Sequence, residues 1–309
     1  MNIASSADNG YLPHFAAMMH SAWIHNRSAN FYLLDAGISK ENVALLEKFA
    51  QEQAIHLTVL PVKKRLETIG GYINHATYAR FLIPELIDAD RVLYMDGDTT
   101  ILGDLSELYS TKLNGFAFAV RTDDSEISYV FESEATGAPF TYEHYFNSGV
   151  MVIDVPRWRD EKISERAIKF AVDFAKKLPL ADQTALNYIT LDKYQKLGRQ
   201  WNCFRVTEMV EQPAPVVLHY IFDKVWTRGD SPFQELYQFH RNKTPWPIHE
   251  FPKPTYSRNR RLKYKLGAMF GNERMRYRLQ YFNTEKQVEE TIVRPAVDKA
   301  TALSALKIT

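Results

Sequence analysis

The chain reads as a mixed, mainly parallel α/β sheet flanked by helices, and three observations carry that reading. Short apolar runs rich in strand formers alternate with longer segments whose apolar residues recur at helical spacing, the pattern of a parallel sheet crossed by helices. One of these runs, Arg91-Val-Leu-Tyr-Met95, ends directly on Asp96-Gly97-Asp98. Open α/β sheets bind their ligands just past the C-terminal edge of such strands. Third, 45% of the 309 residues are hydrophobic, which suffices for a sizeable core.

The elements follow in order. Asn2–Ala7 reads as a short first strand. Residues 12–25 and 39–53 carry apolar positions at helical spacing. Ile55–Leu60 is strand-like. Residues 76–87 read as helix despite Pro84, and Val92–Met95 as the strand that delivers the aspartates. Gly115–Val120 is a further strand. Residues 121–143 are polar and acidic, the composition of a long functional or disordered loop. Ser148–Val155 is a strand, a helix spans 160–177, and Pro215–His219 is a short strand ending in histidine. Pro245, Pro247, Pro252 and Pro254 then mark a semi-rigid linker. The expected organisation is a catalytic domain over 1–248 and a basic extension over 249–309.

Composition narrows the function. A single cysteine, Cys203, excludes a disulfide framework and a cysteine-rich metal site. The N-terminus lacks the basic start and apolar core of a signal peptide, and no run is long enough to span a bilayer. The expectation is a soluble cytoplasmic protein. A net charge of +1 conceals a block from Lys253 to Arg278 with nine basic residues, opposed only by Glu273. Aromatic residues interleave that block, which suits an anionic membrane surface over residues 253–282. Nucleic acid is not expected, because no recognised binding motif is present.

The chemistry centres on Asp96 and Asp98. Residues i and i+2 of an extended chain point to one side, so their carboxylates converge. Hard oxygen ligands suit a divalent cation, and a cation there suits a diphosphate. Gly97 lets a ligand approach the backbone. A second pair, Asp88-Ala-Asp90, follows a helix-like segment and reads as a turn. No Gly-x-Gly-x-x-Gly follows the first strand, and there is no Walker-type Gly-Lys-Ser/Thr. Phosphatases with an aspartyl nucleophile carry Asp-x-Asp-Gly-Thr; here the glycine lies between the aspartates.

Asp96-Gly-Asp98 preceded by Tyr94 resembles the metal motif of the GT-A nucleotide-sugar glycosyltransferases, and further segments resemble glycosyltransferase family 8. Ile3-Ala-Ser-Ser-Ala7-Asp8-Asn-Gly-Tyr11 is similar to the family's uridine-binding start. Tyr78-Ala-Arg80-Phe-Leu-Ile-Pro84 is similar to its Tyr-x-Arg segment. Phe146-Asn147-Ser148-Gly-Val-Met-Val-Ile-Asp154, with Trp158-Arg159, resembles its Asn-Ser/Ala-Gly strand. Asp182-Gln183-Thr-Ala-Leu-Asn187, Trp201-Asn202 and His219-Tyr220 follow in family order. The resemblance covers residues 1 to 228.

Each position also has a plain structural reading. Asp8 caps a helix, Tyr11 packs, Arg80 forms a surface ion pair, Asn147 and Ser148 end a strand, and Asp182 is an N-cap for 183–190. His219 alone reads as a satisfied strand-end histidine. The resemblance implies instead that Ala7, Asp8 and Tyr11 hold the base, and that Arg80 meets sugar or phosphate. It further implies that Asn147, Ser148 and Asp182 hold the donor sugar, and that His219 joins Asp96 and Asp98 on a metal. Two carboxylates and an imidazole favour Mn²⁺, with Mg²⁺ as its substitute. The imidazole must be deprotonated to bind, so activity should fall in acid.

The chain departs from the family pattern at His219-Tyr-Ile-Phe-Asp-Lys224-Val-Trp226: the family's glycine and proline are missing and the lysine stands one residue nearer. Lys224 is expected on the diphosphate. Gln183 stands where a nucleophile would be needed for a two-step retaining displacement, and an amide is a poor one. The expectation is a retaining transferase of galactose or glucose from a UDP-hexose to a saccharide or lipid-linked acceptor, in lipopolysaccharide or surface glycan synthesis, at the cytoplasmic face of the inner membrane. The alternative is a non-catalytic nucleotide-sugar-binding or membrane-associated protein on the same fold.

Overall fold

The computed structural model of the protein describes residues 1–69, 76–123, 134, 136–137, 141, 143–174, 181–221, 224–229, 231–252, 269 and 273–305. The strands among them are β1 (Asn2–Ala7), β2 (Asn30–Asp35), β3 (His56–Pro61), β4 (Arg91–Met95), β5 (Thr99–Ile101), β6 (Phe118–Thr122), β7 (Phe146–Asp154), β8 (Gln195–Lys196) and β9 (Val217–His219). Seven form one sheet in the order β3-β2-β1-β4-β7-β6-β8, and β5 and β9 form a small antiparallel ribbon. The large sheet is parallel from β3 to β4; β7 alone runs antiparallel to both its neighbours. Helices cover both faces, so β1, β4 and β7 are apolar and buried along nearly their whole length.

This topology fixes where a ligand can bind. The chain leaves β1 toward β2 and β3 on one side, then returns to β4 on the other. The crevice between the C-terminal ends of β1 and β4 is therefore the switch point, where open α/β sheets take their ligands. Because β7 is antiparallel to β4, its first residues reach the same edge, with Met95 opposite Val150 and the Asp96 N–H donating to the Gly149 carbonyl at 2.8 Å.

Local differences from the sequence reading have physical causes. The segment read as helix over 76–87 is a 3-10 turn, Ala76–Leu82, followed by a short helix, Ile83–Leu86. Pro84 lies in the first turn of that helix, where its missing N–H costs nothing. The helix expected over 160–177 starts at Ile163 and is described to Phe174, with 175–177 outside the described residues; a separate helix, Val155–Asp160, precedes it, and Lys162, whose φ is +50°, lies between them. The strand expected from Gly115 starts at Phe118, because Gly115 takes the left-handed conformation of a turn. Most of the 121–143 loop and the basic stretch 253–268 lie outside the described residues.

Beyond residue 248 the chain contributes to the core. Helices Glu273–Val288 and Arg294–Ala305 bury Val288, Val293 and Ala300. Val288 and Val293 share an apolar cluster with Leu218, Tyr220 and Val225, and Ala300 joins the cluster formed by the helix Leu12–His25. No helix among the described residues is long and apolar enough to cross a membrane.

Candidate active site

The turn Gly97-Asp98 leads from β4 into β5, and β5 pairs with β9 so that Thr99 stands opposite His219. That pairing brings the histidine, 121 residues further along the chain, beside the two aspartates. Ligand atoms of Asp96, Asp98 and His219 all lie within 4.8 Å of one another. The His219 Nε2 is 3.2 Å from Asp98 Oδ1 and 3.9 Å from Asp96 Oδ2. Its other nitrogen, Nδ1, meets Asn202 Oδ1 at 2.8 Å. An amide oxygen can only accept, so Nδ1 donates to it, and Nε2 is the nitrogen that faces the carboxylates. This donor set fits a divalent cation.

Burial opposes the charge on Asp98, but His219 and then Lys224, whose Nζ is hydrogen-bonded to Asp98 Oδ2, outweigh it. The carboxyl is held well below its usual range. Gly149 is required beside this cluster: a Cβ there would stand 2.2 Å from His219 Cε1 and 2.8 Å from Asp96 Oδ2. Gly97 also has a packing reason, since a Cβ would press on the Phe15 backbone nitrogen at 3.3 Å.

Arg80 organises the other wall. Buried at 2% exposure, its guanidinium gives Nη2 to Asp96 Oδ1 at 2.9 Å, Nη1 to Ser148 Oγ at 2.8 Å and Nε to Asp182 Oδ2 at 2.8 Å. Its plane lies over the Tyr94 ring at 4.4 Å, and the Tyr94 hydroxyl donates to Asp96 Oδ1 at 2.9 Å. One planar fork thus fixes both Asp96 and Asp182, a task a lysine would not perform. Burial pushes the Asp182 carboxyl up to about 6; Arg80 draws it down, and Asp96 adds to the rise. Asp182 lies in the first turn of the helix Ala181–Thr190 and sends its carboxylate to Arg80.

Gln183 is held in a directed chain. Asn202 Nδ2 donates to Asn147 Oδ1 at 2.9 Å, Asn147 Nδ2 donates to Gln183 Oε1 at 3.2 Å, and Gln183 Nε2 donates to the Tyr145 hydroxyl at 3.2 Å. The Ser148 N–H also reaches Gln183 Oε1 at 3.2 Å. Both ends of the Gln183 amide are therefore engaged.

These groups line a cleft of about 460 Å³. Asp8, Tyr11, Arg80, Asp96, Gly97, Asp98, Asn147, Ser148, Asp182, Gln183, His219 and Lys224 all face it. Ala7 does not: it is fully buried in β1, and its carbonyl accepts from the Ala36 N–H. Asp8 Oδ1 caps the Tyr11 N–H at 2.8 Å. The sequence reading gave no role to Tyr94, Asn202 or Gly149, nor to Ser6, Thr77 and Ile221, which also line the cleft. Asn202 and Gly149 stood inside segments already singled out, but only the fold shows that both touch His219. Cys203 is buried, and burial pushes its thiol up to about 12, so it is no nucleophile.

Comparisons with known proteins agree with this geometry. The sequence model of glycosyl transferase family 8 matches residues 2–229. Glycosyltransferase GlyF of Streptococcus pneumoniae is 28% identical over 257 residues, which are 78% of this chain and 61% of GlyF. The chain thus spans about three fifths of that relative. The lipopolysaccharide 1,3-galactosyltransferase of Salmonella typhimurium is 25% identical over 301 residues, covering 91% of this chain and 89% of the relative. Among solved structures, the galactosyltransferase LgtC superposes with a TM-score of 0.67 over 81% of this chain and 98% of LgtC, at 23% identity. That likeness shows the GT-A fold. With a family match over nearly three quarters of its length, the chain belongs to glycosyl transferase family 8.

Proposed function

We propose that this glycosyltransferase moves a hexose, galactose or glucose, from a UDP-sugar to a saccharide or lipid-linked acceptor with retention of configuration. The observation that carries the reading is the convergence of Asp96, Asp98 and His219 at the switch-point cleft. Mn²⁺ suits this mixed oxygen and nitrogen set, with Mg²⁺ as its substitute. Bound there, it would stabilise negative charge on the departing diphosphate. Asp8 and Tyr11 line the cleft and would hold the base. Asn147, Ser148 and Asp182 also line the cleft and would offer acceptors and donors to sugar hydroxyls. Lys224, which pairs with Asp98 at the cleft, would meet the same developing charge on the diphosphate.

Retention is what the family implies, and the setting of Gln183 bears on its route. The Gln183 oxygen already accepts from Asn147 and Ser148. An amide whose lone pairs are so engaged does not attack carbon. The acceptor hydroxyl is then the nucleophile, entering on the face that UDP leaves, through an ion-pair-like intermediate. A trapped covalent glycosyl-enzyme would contradict this. The Salmonella relative is named for lipopolysaccharide, and the basic segment 253–282 suits the anionic cytoplasmic face of a membrane. We therefore place the chain in surface glycan synthesis, with the catalytic machinery in residues 1–248.

Titration calorimetry with UDP tests the site. UDP should bind in Mn²⁺, more weakly in Mg²⁺, and with at least about tenfold loss in EDTA or in Asp98→Asn, since second-shell changes alone cost that much at metal sites. Metal-independent UDP binding would contradict the reading.

A further inference from the structure

Lys224 sits on a segment that departs from the family spacing, so something other than the family's glycine and proline must hold it. Its own turn is tight: the N–H groups of Thr227 and Arg228 and the Thr227 hydroxyl all donate to the Lys224 carbonyl, at 2.9, 3.2 and 2.9 Å. Three side chains then anchor the turn. Val225 is fully buried in the cluster that contains Val288 and Val293. Trp226 stacks on His14 with ring centroids 3.6 Å apart and planes 21° apart. Arg228 Nη1 meets Glu285 Oε1 at 2.8 Å, with both side chains nearly buried. Two of these anchors belong to the C-terminal helices, beyond the last residue of the family match.

We propose that Glu285 is a positioning residue, and that its helix braces the Lys224 turn so that this chain's own C-terminal segment sets the affinity of the cleft for a nucleoside diphosphate. The inference rests on the reading of Lys224 as a diphosphate contact. A lysine is a point charge on a flexible four-carbon stem, so its value to a ligand depends on a fixed backbone. Removing the Glu285 carboxylate breaks the nearly buried contact that ties the Arg228 end of the turn to the helix Glu273–Val288. Loss of Glu285 therefore releases the turn, and Lys224 with it, while leaving Asp96, Asp98 and His219 in place on β4, the turn after it and β9.

The test is a double-mutant cycle read by UDP calorimetry in saturating Mn²⁺, with the full chain and with thermal midpoints recorded beside it. Lys224→Ala should weaken UDP by about tenfold, the scale of one charge-assisted hydrogen bond. Glu285→Gln should weaken it several-fold, and the double variant should bind no more weakly than Lys224→Ala alone. The exchanged pair Arg228→Glu with Glu285→Arg should restore much of the loss. Where Glu285→Gln fails to fold, Glu285→Asp, which keeps the charge and shortens the reach, should show the same non-additivity. A lowered midpoint with unchanged UDP affinity, or losses that multiply in the double variant, would overturn the brace alone. Failure of the wild type to bind UDP would overturn the functional reading and the brace with it.

Discussion

At the scale of single residues, the carboxylates were legible and their supports were not. Asp96 and Asp98 announce themselves because an apolar strand runs straight into them. Asn202 does not, since nothing in Trp201-Asn202 reveals that its amide will meet His219 at 2.8 Å. That contact depends on Cys203 bridging to Leu218, with the His219 N–H donating to the Cys203 carbonyl at 2.9 Å, which no local pattern encodes. Arg80 lines the cleft, and the fold shows it also tying Asp96 to Asp182. The support can be measured. Asn202→Leu leaves the His219 Nδ1–H without its acceptor and frees the ring to adopt the wrong tautomer. Mn²⁺ affinity, followed by electron paramagnetic resonance of the free ion, should fall about 10- to 100-fold. Asn202→Asp, which keeps an acceptor, should retain most of it. Equal loss in both variants would contradict the orienting role.

At the scale of elements, the helix Lys40–Glu52 buries one stripe and Leu12–His25 most of its surface, and periodicity found both to within a residue. It misjudged the 3-10 turn at Ala76–Leu82, where burial of Arg80 beside the carboxylates decides the backbone rather than an apolar stripe. It also gave no hint of a buried histidine pair. His20, on Leu12–His25, and His240, on Gln234–Arg241, face each other with Nδ1 atoms 2.9 Å apart. Burial, then Lys243 and Arg27, lower His20 to about 3, and burial with His20 and His25 holds His240 well below its usual value. A folded-state pKa below the unfolded one means stability is fully present above pH 6.5. It is lost as pH falls from 6.5 toward 3, because the unfolded chain takes up the protons first. Each such imidazole costs about 1.4 kcal/mol per pH unit across that window. The thermal midpoint should be flat above pH 7 and fall below 6.5, and His240→Gln should reduce the slope. A midpoint that rises on acidification would contradict the neutral pair.

At the scale of the molecule, the order of six motifs along 228 residues made the GT-A fold legible, and the sheet order explains why. Motifs far apart in sequence end at one edge of β1, β4 and β7. What the sequence hid is the role of the tail. Composition separates residues 249–309 from the rest, yet Val288, Val293 and Ala300 complete the core. Deleting the whole tail would therefore unsettle the body as well as remove its charge. Membrane association is better tested by changing Lys253, Arg258, Arg260, Arg261, Lys263 and Lys265 to glutamine. Co-flotation with anionic phosphatidylglycerol vesicles should fall steeply, since each basic residue near such a surface contributes about 1 kcal/mol. Undiminished flotation would contradict a peripheral role for this segment.

The account's central claim is that the cleft activates a UDP-hexose, and the most direct measurement is UDP release. UDP-galactose and UDP-glucose would each be incubated with the wild type in Mn²⁺, then in EDTA, and with Asp98→Asn. Slow, metal-dependent release from one donor, abolished by Asp98→Asn and by EDTA, is the expected result, and it would identify the sugar. Tight, metal-dependent UDP binding with no release from either donor, in the presence of a panel of saccharide and lipid-linked acceptors, would contradict the claim and leave a nucleotide-sugar-binding protein on a transferase fold.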